Sequence, residues 1–241
     1  MSKDKLIVAL DFDSLHSANQ TVSQLRDLVT WFKIGGQLFT TTGPTSIETL
    51  LNSGNKVFLD LKFHDIPNTV AGAVTAAAQT GASMINMHAS GGFEMMRAAS
   101  EAVEAYAGAL EIPRPMLLGV TALTSIDEPN FQRSYNTERK LRDQVAYLAE
   151  LSQKAGLDGV VASPLEIEIV RRVCGKKFLI VTPGVRPRWS TAGDQRRIKT
   201  PSEAIEAGAD YIVVGRPITG ADNPREAVKN ILQEIQEQSD P

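Results

Sequence analysis

The chain has 241 residues, a net charge of -3, 42% hydrophobic and 22% charged residues, which suits one large α/β domain or two small ones around a substantial core. The acidic balance argues against nucleic acid as the main partner, and no apolar run approaches a membrane span. The polar start Met1-Ser2-Lys3-Asp4-Lys5 lacks a signal peptide's apolar region, so a cytoplasmic protein without a membrane partner is expected.

Leu6 to Leu10 is a continuous apolar run ending at Asp11, the pattern of a parallel strand covered on both sides. Ser14 to Val29 reads as a helix, Trp31 to Gly35 as a strand carrying Lys33, and Thr45 to Leu51 as a helix. The third strand runs from Phe58 to Phe63, and Asp65 follows just where Ile66 to Thr69 reads as a turn leading into a helix. Asn68 is the expected N-cap of a helix from Thr69 to Gln79. Met84 to His88 is the fourth strand, and Gly91-Gly92 opens a helix to about Ala107. Pro115 to Thr121 is the fifth strand. The long polar segment Ser125 to Asn136, interrupted by Pro129, reads as a mobile loop before a helix from Arg139 to Ala155. Gly159 to Ser163 is the sixth strand, with a helix around Leu165 to Val173, and Phe178 to Thr182 is the seventh. Pro183 to Arg197 is a second long polar loop. Pro201 to Ala207 makes a short helix, Tyr211 to Gly215 the eighth strand, and Pro224 to Gln238 an amphipathic closing helix. Eight short apolar strands alternating with helices point to one (β/α)8 TIM barrel over residues 1–241. A doubly wound sheet fits less well, because no Gly-x-Gly-x-x-Gly follows the first strand.

Active sites of such barrels form at the carboxyl ends of the strands. Those ends carry Asp11, Lys33, Asp60 with Lys62, His88, Thr121, Ser163, Thr182 and Arg216. Strands that simply run into solvent account for one or two of these. They account poorly for Asp60 and Lys62, which share one face of the third strand, opposite Leu59, Leu61 and Phe63. Charges in an apolar segment are costly unless paired and used, which makes this strand the candidate site. Gly215-Arg216-Pro217 after the eighth strand, with Arg186 and Gln195 in the seventh loop, matches the usual barrel phosphate site. Arginine grips phosphate oxygens with two N–H donors, so a phosphorylated ligand is expected.

Other candidates are weaker. His64 lies between Asp60 and Asp65, but Lys62 would repel a cation there, so no metal site is expected. His16 reads as a surface residue, and His88 as either a catalyst or a supporting group. Ser163 has no readable His and Asp partners, and the one cysteine, Cys174, reads as a buried structural thiol.

The motifs resemble those of the orotidine 5'-phosphate decarboxylase family. The resemblance rests on Ala9-Leu10-Asp11, on the run Phe58 to Thr69, and on Val120-Thr121-Ala122-Leu123-Thr124-Ser125. It extends through Thr182 to Pro187, Gly193 to Ile198, and Val214 to Thr219, and so covers essentially the whole chain with the spacing of shorter bacterial members. It implies cofactor-independent loss of CO2 from orotidine 5'-phosphate to give UMP, with no metal. Lys62 would protonate C6, while Lys33, Asp60 and Asp65 complete an alternating charge array. Asp11, Lys33, Thr69, Thr124, Ser125, Arg186, Gln195, Gly215 and Arg216 would bind substrate. The resemblance also implies a homodimer in which Asp65 and Thr69 reach the neighbouring subunit's site. Two rivals share parts of this pattern: a metal-dependent barrel acting on a sugar phosphate, and a catalytically silent phospho-ligand-binding protein.

Overall fold

A computed structural model describes residues 4–190 and 199–236. Eight strands form a closed barrel in sequence order. They are β1 (Leu6–Ala9), β2 (Trp31–Gly35), β3 (Lys56–Phe63), β4 (Met84–His88), β5 (Met116–Val120), β6 (Gly159–Val161), β7 (Leu179–Thr182) and β8 (Tyr211–Val214). Each pairs in parallel with the next, and β1 closes on β8. The helices are α1 (Leu15–Leu25), α2 (Gly36–Thr42), α3 (Thr45–Asn52), α4 (Pro67–Gln79), α5 (Phe93–Leu110), α6 (Glu128–Tyr135), α7 (Leu141–Lys154), α8 (Ile167–Cys174), α9 (Pro201–Glu206), α10 (Arg216–Thr219) and α11 (Pro224–Gln236).

The strand pleat divides the core in two. Ile7, Ala9, Trp31, Phe58, Met84, Leu118, Val120, Val161, Val181 and Val213 fill the barrel interior. The alternate residues, among them Leu6, Val8, Phe32, Ile34, Leu59, Ile85 and Met87, face the helices. Strands buried on both faces read as near-continuous apolar runs, which is why all eight are recognisable in the sequence.

Differences lie between the strands. Helix α1 stops at Leu25 rather than Val29, capped at its start by the Ser14 hydroxyl, which accepts from the Ser17 N–H. Asn68 is not the cap of α4. The helix begins at Pro67, two residues before Thr69, with Ile66 in extended conformation before it. Proline's fixed φ and missing N–H suit the first helical position, and this outweighs the capping preference of asparagine. The segment Ser125 to Asn136 is not simply a loop, because it contains α6. The Asp127 carboxylate accepts from the Asn130 N–H, Pro129 sits in the first turn, and Phe131 packs on Tyr135 with ring centroids 5.1 Å apart. Polarity hid a capped helix. Helices α2 and α10 were also not expected, being short and, in α2, burying only Leu38. The expected end of the last helix at Gln238 lies outside the described residues. Among the described residues no helix is long and apolar enough to cross a membrane.

Candidate active site

Trp31, Phe58 and Met84 point into the barrel, so Lys33, Asp60 and Asn86, two positions further along the same strands, share that inward side. Lys33 Nζ lies 3.1 Å from Asp11 Oδ1 and 3.1 Å from Asp60 Oδ2. Lys62 Nζ lies 2.7 Å from Asp60 Oδ1. The four charges therefore alternate in sign as Asp11, Lys33, Asp60, Lys62. Asp11 and Lys62 reach toward solvent, while Lys33 is buried and the Asp60 side chain is only 11% exposed.

Burial sets the energetics. Removing an ion from water costs several kcal/mol, which only close opposite charges and hydrogen bonds offset. For Lys33, burial opposes the charged form, but Asp60 and then Asp11 outweigh it and raise the ammonium's pKa. For Asp60, burial opposes charge in the same way, yet Lys33 and Lys62, helped by the Asn86 amide, hold the carboxyl below its ordinary value. Both stay ionised through neutral pH. Gly35 leaves room for this pairing: a Cβ there would sit 3.0 Å from Lys33 Nζ and 3.2 Å from Asp11 Oδ1.

Lys62 reaches Asp60 by a route that simple alternation does not describe. Its partners are the expected ones, with Leu61 and Phe63 packed toward the helices, but its φ is 53°, in the left-handed region. For a residue with a Cβ this costs about 1 kcal/mol. The β3–β4 ladder shifts register at the same place.

A cavity of about 590 Å³ opens over this array, a size suited to a small ligand. Asp11, Lys33, Asp60 and Lys62 line it. So do Thr124 and Ser125 after β5, Arg186 after β7, and Gly215 and Arg216 after β8. Arg186 is buried, and its guanidinium donates to the Val185 carbonyl at 3.1 Å. Burial, and after it the nearby positive charge of Arg216, push its pKa down. Two cations held close together favour an anion between them.

Asp65 and Thr69 are not part of this cavity. Both are exposed, and Asp65 Oδ1 accepts from the Ile66 N–H at 2.6 Å. Gln195 lies outside the described residues. His88 and Thr121 line a separate pocket of about 70 Å³. The His88 ring lies 5.3 Å from that of His64, and burial, followed by His64 and Lys62, lowers its pKa. Ser163 and Thr182 are fully buried, and His16 is exposed. Cys174 is buried, with a thiol pKa raised to about 11, first by burial and then by Glu150. Among the described residues no group of three or more His, Cys, Asp and Glu side chains is placed to hold a metal ion.

Sequence reasoning missed Asn86, Gly35 and Gln37, which also lines the cavity. Asn86 had a readable signal, as an amide at an inward position of an otherwise apolar strand, two residues after Met84.

Comparison with known proteins identifies the family. Residues 4–231 match the family model described as "Orotidine 5'-phosphate decarboxylase / HUMPS family". The chain is 49% identical over 235 residues to an orotidine 5'-phosphate decarboxylase of Moorella thermoacetica, covering 98% of this chain and 93% of that protein. It is 50% identical over 234 residues to one of Syntrophotalea carbinolica, covering 97% and 96%. The crystal structure of orotidine 5'-phosphate decarboxylase from Lactobacillus acidophilus superposes with a TM-score of 0.84 at 39% identity, over 96% of this chain and 99% of that one. With a sequence match along nearly its whole length and a barrel of the same shape, the chain belongs to the orotidine 5'-phosphate decarboxylase / HUMPS family.

Proposed function

We propose that the chain decarboxylates orotidine 5'-phosphate to UMP and CO2, the final step of UMP synthesis, without a metal or organic cofactor. The observation that carries this reading is the Asp11–Lys33–Asp60–Lys62 array on the cavity wall. Heterolysis of the bond between C6 and its carboxylate leaves an electron pair on C6. Fixed charges must stabilise that pair, and the nearest source of both charge and proton is the Lys62 ammonium. Lys62 delivers its proton to C6 as CO2 departs and regains one from solvent. Asp60 holds Lys62 in line, and its position beside the leaving carboxylate adds a repulsion that fades as neutral CO2 forms. Lys33 neutralises Asp60 from behind and, with Asp11, contacts the ribose. Thr124 and Ser125 face the pyrimidine, while Arg186, Gln195, Gly215 and Arg216 take the phosphate. Substrate and product are phosphorylated and do not cross membranes, which supports a cytoplasmic location.

The direct test is to add orotidine 5'-phosphate after exhaustive chelation and follow the ultraviolet change. Full turnover with EDTA present is expected. Activity that disappears on chelation and returns with a divalent cation would instead favour a metal-dependent sugar-phosphate enzyme of the same fold.

The exposed pair Asp65 and Thr69, beside the apolar Ile66 that is 67% exposed, fits a second subunit completing the site. The proposed assembly is a homodimer in which these residues complete the partner's charge array and ribose contacts. Mixing inactive Lys62→Ala with inactive Asp65→Ala subunits then regenerates one intact site per mixed dimer. Recovery of up to about a quarter of wild-type activity is expected, because random exchange makes half the dimers mixed and each has one good site. Confirmed subunit exchange without recovery would rule out sharing.

A further inference from the structure

We propose that Asn86 is a positioning residue for the Lys62–Asp60 pair, fixing through one side-chain amide both the backbone that aims Lys62 and the carboxylate that holds its ammonium. The inference rests on the functional reading above and adds to it a residue that touches no substrate atom.

The geometry begins with the ladder. Phe58 pairs with Met84 and Leu59 with Ile85, but the next pair is Phe63 with Met87. Strand β3 thus takes four steps from Leu59 to Phe63 while β4 takes two, and the surplus residues stand opposite Asn86. Lys62 lies in that surplus, with its φ of 53°. Its backbone N–H donates to Asn86 Oδ1 at 2.9 Å. From the other end of the amide, Asn86 Nδ2 donates to Asp60 Oδ1 at 2.6 Å. The same carboxylate oxygen receives Lys62 Nζ at 2.7 Å.

Only one amide orientation satisfies this arrangement. Exchanging the nitrogen and oxygen of Asn86 would set an oxygen against a carboxylate and an NH2 against an N–H. Asn86 is fully buried, so no water offers a substitute for either bond. The ring Asp60 Oδ1, Lys62 Nζ, Lys62 backbone, Asn86 amide closes on itself. A leucine would fill the same inward layer with apolar volume. It would leave the Lys62 N–H unpaired and remove the reason for a left-handed residue there.

The test uses the full chain with Asn86→Leu and the near-isosteric Asn86→Asp. Turnover of orotidine 5'-phosphate, UMP dissociation constants and crystal structures are measured for each. UMP lacks the carboxylate, so its affinity reports the ring and phosphate contacts independently of proton delivery. For Asn86→Leu, kcat is expected to fall about 100-fold, the scale of a misplacement of about 1 Å in a reacting group, with UMP affinity changed less than about threefold. Lys62 is expected to leave the left-handed region.

Asn86→Asp keeps an acceptor for the Lys62 N–H and, only while protonated, a donor for Asp60. The new carboxyl would face Asp60 and Lys62 from β3, Lys33 from β2 and His88 from β4. As pH rises and its proton is lost, two carboxylates oppose each other. The kcat of this variant is therefore expected to fall with rising pH where that of wild type stays level. If Asn86→Leu does not fold, Asn86→Asp carries the test. A folded variant with near-normal kcat and a level profile would overturn the proposal, as would loss of kcat and UMP affinity in equal measure, which marks a merely structural role. A wild-type chain inert toward orotidine 5'-phosphate would overturn the functional reading instead. In that case the positioning claim still fails if Lys62 keeps its φ near 53° in the Asn86→Leu structure.

Discussion

Lys62→Ala is expected to abolish turnover of orotidine 5'-phosphate while leaving UMP binding measurable. The substitution removes the proposed proton donor and the cation that faces C6. Positioned proton transfer contributes roughly 10²–10⁴-fold and a single preorganised electrostatic donor roughly 10²–10³-fold, which multiply to about 10⁴–10⁷-fold, so with incomplete additivity a loss on the order of 10⁴-fold is expected. The neighbouring cation offers no rescue, because Lys33 is buried and held between Asp11 and Asp60 at 3.1 Å from each. The variant also leaves Asp60 paired only with Lys33 and Asn86, so the carboxylate remains charged and faces the substrate carboxylate with less compensation. Single-turnover ultraviolet assays beside titration with UMP separate the two effects. Near-normal turnover would sink the mechanism, and loss of UMP binding in parallel would show that the variant had lost the site altogether.

How much of this was legible in the sequence depends on what kind of information each feature carries. The eight strands are visible because both faces of each are buried, which leaves apolar runs with few rivals. Asp60 and Lys62 are visible because a charge inside such a run has no cheap explanation. The left-handed turn at Lys62 is invisible for the opposite reason. Nothing local to Lys-Phe-His demands a positive φ, and the cause lies 24 residues away in Asn86. Helix α6 was obscured by composition, since its polar residues read as a loop until Asp127 is seen to cap it and Phe131 to anchor it. Gly35 is unremarkable as a letter, and matters because Lys33 and Asp11 meet where its side chain would have been. The strand alternation therefore found the correct neighbours for Lys62 without the bulge that brings them together.

Arg216→Ala is expected to weaken UMP binding by roughly 10-fold to 150-fold, the range for losing hydrogen bonds to a charged group. The phosphate is the part of the ligand most distant from the bond that breaks, so its contacts act through binding and loop closure. Arg186 and Arg216 line the cavity together, and Arg186 is already pushed toward its neutral form by burial and then by Arg216. A phosphate monoester, with a charge of about -1.5 to -2 at neutral pH, relieves that repulsion when it binds. Removing Arg216 takes away half of the positive pair as well as its N–H donors. Uridine, which lacks the phosphate, supplies the control. Its affinity should be nearly the same for wild type and variant, so the ratio of UMP to uridine affinity falls by the full factor. The exposed guanidinium of Arg216 also makes the wild-type preference for UMP decline as salt is added, more steeply than in the variant. An unchanged UMP dissociation constant would refute the phosphate assignment. An equal loss for UMP and uridine would place Arg216 in support of the loop rather than on the phosphate. Arg216 is expected to pass both tests because it follows Gly215 directly at the end of β8, where a Cβ on that glycine would lie 3.7 Å from Asp11 Oδ2, tying the phosphate end of the cavity to the start of the charge array.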